Sequence, residues 1–464
     1  MSVIETEPTS VQDEPGRRPG HATVRVGVRG THQLLDRRRS TALFERAARE
    51  APRLGLLKLP AGQAWLAAAP ELARQVLTDN RSLIKGPVTT RTSLLLGDGL
   101  LTVTDRDAHR QRRRLVQPAF SRAQIAAYAE QMVDAATAMA QAWAADDGAV
   151  RDAGDDMVAV TLGVLGETLL GADTSDDVPI VRRSLTTALR GFEKMLMPGT
   201  DRLLRLPIPW ARRILAATTA LDDVVRRAIS NASPPSVTST LLEASDEGAV
   251  LDDEDVRNEV MTLFLAGHET TAGALTWVWW YLGREPHARR ALHAELDSVL
   301  GVGAQGRDPS YMDLRDLPVT TATFAETLRL RPPVWMLERE VVEPITLDGV
   351  VLDRGQVVLV SPYLLHRDPA SWPDPLAFDP QRWITPEGTF SEDAPGQPRG
   401  AWYPFGGGTR VCIGESFAWA EGVLVLATLA RRFAPTLVDP ADPGVRVALT
   451  LRPDRPVRLR IAAR

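Results

Sequence analysis

Apolar residues recur at helical spacing through most of the chain from about Thr41 to Arg331, and breaks in that period divide it into elements. Ser121–Ala144 is amphipathic, with Ser121 placed as its N-cap. Asp156–Leu170 is apolar enough for a largely buried helix. Ser233-Pro234-Pro235-Ser236 marks a loop, after which Asp252 opens a long helix that runs to about Arg284 and stops before Pro286. Trp277, Trp279, Trp280 and Tyr281 near its end read as core packing. Period-two alternation appears over Ala61–Ala67 and over Ile345–Val360, with turns at Asp348-Gly349 and Arg354-Gly355. From Asp368 to Gly400 the chain is rich in Pro, Asp and Trp and has no period, so a long meandering loop is expected. There is no repeat, low-complexity tract or composition break. The pattern predicts one large, mainly α domain with a smaller β region over 36–464, behind a polar tail, residues 1–35, expected to be unstructured.

Composition narrows the classes. The chain has 464 residues and a net charge of −5, the wrong balance for a main task of nucleic-acid binding. Only three lysines (Lys58, Lys85 and Lys194) occur among 54 basic residues. With abundant alanine and proline, that bias suggests a GC-rich bacterial source. The first twenty residues lack the apolar core of a signal peptide, and no stretch approaches the roughly 18 uninterrupted apolar residues of a membrane span. The expectation is a cytoplasmic protein without a membrane anchor.

The single cysteine, Cys412, sits in F-G-G-G-T-R-V-C-I-G, Phe405 to Gly414. One cysteine forms no internal disulfide, and no ligand cluster for a zinc site accompanies it. An unpaired cysteine is commonly a small core residue. Three glycines in a row make a poor core strand, but they let backbone approach a bulky planar object and aim N–H groups at sulfur. The apolar run after Gly414 reads as a helix whose N-terminus would stabilise a thiolate.

Three further constellations stand out. In A-G-H-E-T-T (Ala266–Thr271), Thr270 can hydrogen-bond back to the carbonyl ladder of the long helix, and Gly267 relaxes it further. A groove sized for dioxygen would result. His268-Glu269 is not a zinc-protease motif, because position 272 is Ala272. Taken alone, the segment reads as a plain helix with His268 and Glu269 facing solvent. In E-T-L-R, Glu326 and Arg329 share a helical face and can pair, weakly if exposed and as part of a larger network if buried. In H-R-Q-R-R-R (His109–Arg114), most of the arginines read as a solvated face. His109 and Arg113, four apart, could clamp an anion.

In this order and spacing, over roughly residues 80 to 430, the motifs resemble the cytochrome P-450 family of haem-thiolate monooxygenases. Phe405, Gly408, Arg410, Cys412 and Gly414 match its cysteine loop. The resemblance makes Cys412 the axial ligand of haem b and sets Phe405, Gly406 and Ala266 against the macrocycle. Ala266, Gly267, Glu269, Thr270 and Thr271 match its oxygen-activation motif. Glu326 and Arg329 match its helix pair, whose meander partner would be Arg382. Arg113 with His109, Arg410 and, more weakly, Arg339 match propionate ligands. Gln381 stands where an acid is common, and His109 where tryptophan is frequent.

The resemblance implies insertion of one oxygen atom from O2 into a lipophilic molecule such as a terpene, polyketide or fatty acyl chain. Thr270 would steady dioxygen and a water, and Glu269 would relay protons from solvent. A pocket is expected from Thr89–Leu101 with Leu95 and Leu96, the segment around Phe192 to Pro209, Phe264 and Ala266, Val334, Trp335 and Met336, and the turn near Thr450-Leu451. No flavin or iron–sulfur module is recognisable, so a ferredoxin and its reductase would supply electrons, docking on some of Arg110, Arg112 and Arg114. A monomer is expected. A haem-thiolate peroxygenase or isomerase, and a non-catalytic haem-binding sensor, stay open as alternatives.

Overall fold

Most of the long helices around the site begin where a side chain or a proline deals with the first free N–H groups. The computed structural model describes residues 23–25 and 40–464, apart from 60–61, 147, most of 172–207, 247–248, 304–305 and 448. Six helices carry the site: α1 (Arg106–Val116), α2 (Arg122–Ala145), α3 (Ala153–Leu165), α4 (Asp253–Arg284), α5 (Pro318–Leu330) and α6 (Glu415–Ala430). Ser121 caps α2 by accepting from the Gln124 N–H, where the sequence places its start. Asp252 caps α4, accepting the Asp255 N–H at 2.7 Å, and Asp253, Glu254 and Asp255 load its first turn with favourable negative charge. The expected helix Asp156–Leu170 is α3 followed by one wide π turn, Gly166–Leu170, closed by Gly171 at φ 65°.

The 32-residue α4 is buried on nearly every side, which is why its sequence shows so little amphipathic contrast. Trp279 packs edge-on against Trp143 of α2, with ring centroids 5.0 Å apart, and Trp277 meets Trp280 at 5.6 Å. The tryptophan group is core.

The main sheet has strands β1 (Thr23–Arg25), β2 (Leu54–Leu59), β3 (Gly62–Ala67), β4 (Leu83–Lys85), β5 (Leu337–Val341) and β6 (Val357–Val360), in spatial order β1-β2-β3-β6-β5-β4. Within the segment 1–35 expected to be unstructured, β1 pairs parallel with β2, Thr23 opposite Leu56. The alternation over Ile345–Val360 resolves into two pieces. Ile345–Leu347 and Val350–Leu352 form a hairpin around Asp348 and Gly349, both at positive φ, and β6 returns to the main sheet. Near the C-terminus a small hairpin joins β7 (Val445–Val447) to β8 (Leu451–Pro453). The meander, residues 368–400, is irregular except for short turns such as Pro380–Trp383. The architecture is mainly α with a smaller β region, and α4 crosses its centre. No described helix is long and apolar enough to cross a membrane.

Candidate active site

The Cys412 loop folds on itself before α6 begins. Cys412 N–H donates to Phe405 O at 2.9 Å and Val411 N–H to Gly408 O at 3.1 Å. Gly408 has φ 67°, and a Cβ there would lie 2.2 Å from the Leu77 carbonyl oxygen, so conformation and space both demand glycine. Gly414 is the N-cap of α6, which puts the thiol at the helix mouth. Cys412 is exposed only in the sense that it opens onto an internal cavity of about 400 Å³; protein surrounds it elsewhere. Burial pushes its pKa up, and so does the Glu415 carboxylate, while the Gly414 N–H, Arg113 and Lys85 pull it down.

α4 faces the same cavity with the i, i+4 stripe Thr262, Ala266, Thr270 and Ala274, together with Gly267 and Glu269. Thr270 Oγ1 donates to Ala266 O at 2.7 Å, the back-bond expected from the motif. Glu269 and His268 do not face solvent, as the isolated helix suggested. The Glu269 side chain is 11% exposed and lies 3.2 Å from Arg452 Nη1 of β8. His268 is buried, and burial lowers its pKa to about 4, so it is neutral; its ring contacts Phe264 O and stacks on the Phe264 ring. That stack removes Phe264 from the pocket. Residue 264 is about 200° round the helix from 262 and 266, on the core side. Trp335 is likewise not a pocket residue. In the extended segment after Pro333, Val334 and Met336 point into the cavity, and Trp335 points away onto Phe44 at 5.5 Å. Leu96 and Thr450 do line the cavity. Phe192 and the side chain of Leu95 lie outside the described residues.

One rim of the cavity is strongly cationic. His109 and Arg113 of α1 and Arg339 of β5 meet Arg410 there, joined by Lys85 of β4. Lys85 stands directly opposite Arg339 in the β4–β5 ladder, an arrangement that costs stability unless something negative lies between them. Burial, with Arg339 and Arg410 adding repulsion, brings Lys85 down to about 7. Arg339 and Arg410 fall to about 10, chiefly through burial. His109 falls to about 3 through burial and the neighbouring cations, so it stands as a neutral hydrogen-bonding group. Arg113 Nη1 donates to Val411 O at 2.7 Å, and Arg410 Nη1 to Val103 O at 2.7 Å, fixing both guanidinium groups to the loops that frame the rim. Glu338 offsets Lys85 and Arg339 only in part, and its carboxylate also accepts the Thr89 N–H at 2.6 Å. A flat apolar body carrying two carboxylates fits this combination of small residues, thiol and unbalanced cations, and haem is such a body.

Beneath the loop, Glu326 and Arg329 of α5 are fully buried and bonded twice, at 2.7 and 2.8 Å. Arg382 Nε, Trp383 Nε1 and the Asp379 N–H also donate to Glu326, and Arg329 donates to the carbonyls of His366, Pro375 and Ala377. The pair therefore ties the meander to α5. Arg112 points inward rather than to a docking surface, bonding Asp255 at 2.7 Å and Glu259 at 3.1 Å. Glu259 in turn accepts the Leu100 N–H and steadies the loop over the cavity.

Sequence reasoning missed Lys85, Glu259, Arg452 and Glu421. Glu421 is fully buried on α6 beside Thr271, and burial raises its carboxyl to about 8. A signal existed for two of them: Lys85 is one of three lysines in an arginine-rich chain, and Glu421 is the lone acid inside an apolar helix.

The cytochrome P-450 family model matches residues 30–457. Cyclooctatin synthase of Streptomyces melanosporofaciens is 39% identical over 411 residues, covering 86% of this chain and 87% of that protein. Pentalenene oxygenase of Streptomyces avermitilis is 34% identical over 420 residues, covering 88% and 90%. The crystal structure of the cytochrome P-450DA haem domain superposes with a TM-score of 0.84 at 26% identity, covering 96% of this chain and 97% of that one. The chain thus belongs to the cytochrome P-450 family of monooxygenases, enzymes that hold haem through a cysteine thiolate, and Cys412 is the one cysteine it has for that bond.

Proposed function

We propose that this protein oxygenates a lipophilic terpenoid, hydroxylating or epoxidising it with one atom of O2. The observation that carries the reading is the convergence of Cys412, the Glu269–Thr270 pair and an apolar cavity on one stretch of α4. Haem bound through a thiolate supplies the oxidising power. The chain supplies position and proton control. Lys85, Arg113, Arg339 and Arg410 would meet the propionates electrostatically, with neutral His109 as a hydrogen-bond partner. Leu96, Leu100, Val334, Met336 and Leu449 exclude water and hold the substrate against the face of α4. Thr270, its hydroxyl open to the cavity, orients a water there, and Glu269 moves protons inward from the solvent side. That two related enzymes act in terpenoid chemistry supports the substrate class. A ferredoxin, reduced by its reductase, would dock over the basic surface around the cleft behind the cysteine loop, where Arg106, Arg110 and Arg114 stand near Thr409. Arg112 takes no part in that surface.

The reduced, carbon-monoxide-bound spectrum and Thr270→Ala test the reading together. The parent should show the strongly red-shifted Soret band of thiolate-bound haem. Thr270→Ala should keep that band and its ligand-induced spin shifts, yet divert most electrons to peroxide. Unchanged product per electron in the variant removes Thr270 from proton control. A band at the histidine-ligated position removes the chemical basis of the proposal.

A further inference from the structure

We propose that Arg452 is a positioning residue that gates proton entry to Glu269 and links that gate to filling of the cavity; the proposal rests on the assignment of Glu269 and Thr270 to proton delivery. The groups stand in series. The Arg452 side chain is 38% exposed, and its Nη1 lies 3.2 Å from Glu269 Oε1, while the Glu269 side chain is only 11% exposed. Thr270, next in sequence, opens onto the cavity. A guanidinium keeps its protons at any physiological pH, so Arg452 can hold the carboxylate in its ionised form but cannot hand it a proton. With the pair closed, the outermost group of the series is therefore a plug. Water reaches Glu269 when the guanidinium swings outward, a move its solvent exposure permits.

The plug is built into a wall that substrate touches. Arg452 lies in β8, and the turn between β7 and β8 carries Leu449 and Thr450, both lining the cavity. The Leu451 N–H donates to Pro333 O at 2.8 Å, tying β8 to the opposite wall at the start of Val334–Met336. A molecule pressing on Leu449 and Val334 thus bears on the strand that holds the gate. Arg446 stands directly opposite Arg452 in the hairpin ladder, and this like-charge neighbour lowers the cost of opening. The remaining ionisable neighbour on the helix, His268, is neutral and keeps out of the exchange.

The experiment compares Arg452→Gln, Arg452→Lys, Glu269→Gln and the Arg452→Gln/Glu269→Gln double variant in haem-loaded protein with a competent ferredoxin system. Arg452→Gln should raise substrate-free electron consumption about two- to fivefold, the factor held by one partly exposed ion pair. It should also bring the solvent deuterium isotope effect on that consumption toward unity, and Arg452→Lys should restore both. In the Glu269→Gln background, Arg452→Gln should change neither. A readout independent of turnover is the infrared carboxyl band assigned by its loss in Glu269→Gln, which should titrate at higher pH once Arg452 is removed. If Glu269→Gln leaves rate and isotope effect at the parental values, the proton-delivery assignment itself fails. If Glu269→Gln lowers the rate while Arg452→Gln matches the parent in consumption, isotope effect and band, the gate is overturned and the assignment stands. An Arg452→Gln protein as slow as Glu269→Gln, without rescue by lysine, makes Arg452 a brace and also overturns the gate.

Discussion

Lys85→Met should act with opposite signs on the haem-free and haem-loaded protein. Without haem, Lys85 is buried beside Arg339 and Arg410, and burial with those two charges outweighs the pull of Cys412 and Glu338 and lowers its ammonium from 10.5 to about 7. At about 1.36 kcal/mol per pH unit, the folded haem-free chain carries a penalty of roughly 5 kcal/mol for the charged form, an upper bound because buried charges relax. Methionine keeps the length and apolar stem and removes the charge, so the haem-free variant should be more stable at pH 7 by up to that amount. The pH dependence has a definite sign. Between about pH 7 and 10.5 the unfolded chain binds the proton that the folded chain has shed, so stability of the parent rises with pH across that window. In Lys85→Met that rise should largely vanish. In the loaded protein two carboxylates would restore the ammonium, and deleting one partner of a buried ionic group costs about 3–5 kcal/mol, so the variant should release haem faster. Urea unfolding of the haem-free proteins at pH 7 and pH 10, and haem transfer to apomyoglobin at pH 7, measure both signs. A variant that is less stable without haem, or that retains haem as firmly as the parent, refutes the anion-site reasoning.

Glu326→Gln should lower stability by about 3–5 kcal/mol, because Arg329 would be left buried without its charge partner, and haem occupancy should fall with it. Thermal unfolding and haem content after purification measure this, and a loss below about 1 kcal/mol would mean the network is not a structural tie. Glu421→Gln should be nearly neutral at acidic pH and become relatively stabilising as pH rises from 4.5 to about 8. Across that window the folded carboxyl keeps a proton that the unfolded chain loses, and the amide escapes the loss. A variant whose stability runs parallel to the parent from pH 5 to 8 contradicts the buried, protonated assignment. Cys412→Ser should abolish the red-shifted Soret band and product formation; retention of both would mean that the thiol is not the ligand.

The features readable from sequence share a physical property: their information is local. Asp252 and Ser121 mark helix starts because a cap needs only three residues to be recognised. The Cys412 loop and the Ala266–Thr271 segment are legible because glycine, thiol and helix N-terminus must be contiguous to do their work. Glu326 and Arg329 are legible as a pair, but their weight depends on Arg382 and Trp383, more than fifty residues on, and only the resemblance supplied the former. Side-chain direction was the first thing lost. Phe264 stood in place of Thr262, and Trp335 was grouped with Val334 and Met336, whereas the α-helical turn and the strand alternation decide which side chain meets the cavity.

Electrostatics was the second loss, and the larger one for function. The cationic rim draws Lys85 from β4, His109 and Arg113 from α1, Arg339 from β5 and Arg410 from the cysteine loop. In sequence, Arg113 differs from Arg112 only in standing four residues from His109, since both lie in one basic run. Folding turns Arg112 toward Asp255 and Glu259, which bond it directly, and Arg113 toward the rim, where burial outweighs the pull of Cys412 and Glu415. That distinction between a balanced and an unbalanced buried cation separates a structural arginine from one awaiting an anion. The same distinction applies to the two acids near Thr270. Glu269 faces a guanidinium, whereas Glu421 on α6 is buried beside Thr271 and raised to about 8, so at neutral pH Glu421 keeps its proton. One carboxyl group thus meets a cation and the other only a hydroxyl, on two helices packed against each other. That arrangement follows from burial and partner choice rather than from any residue's identity.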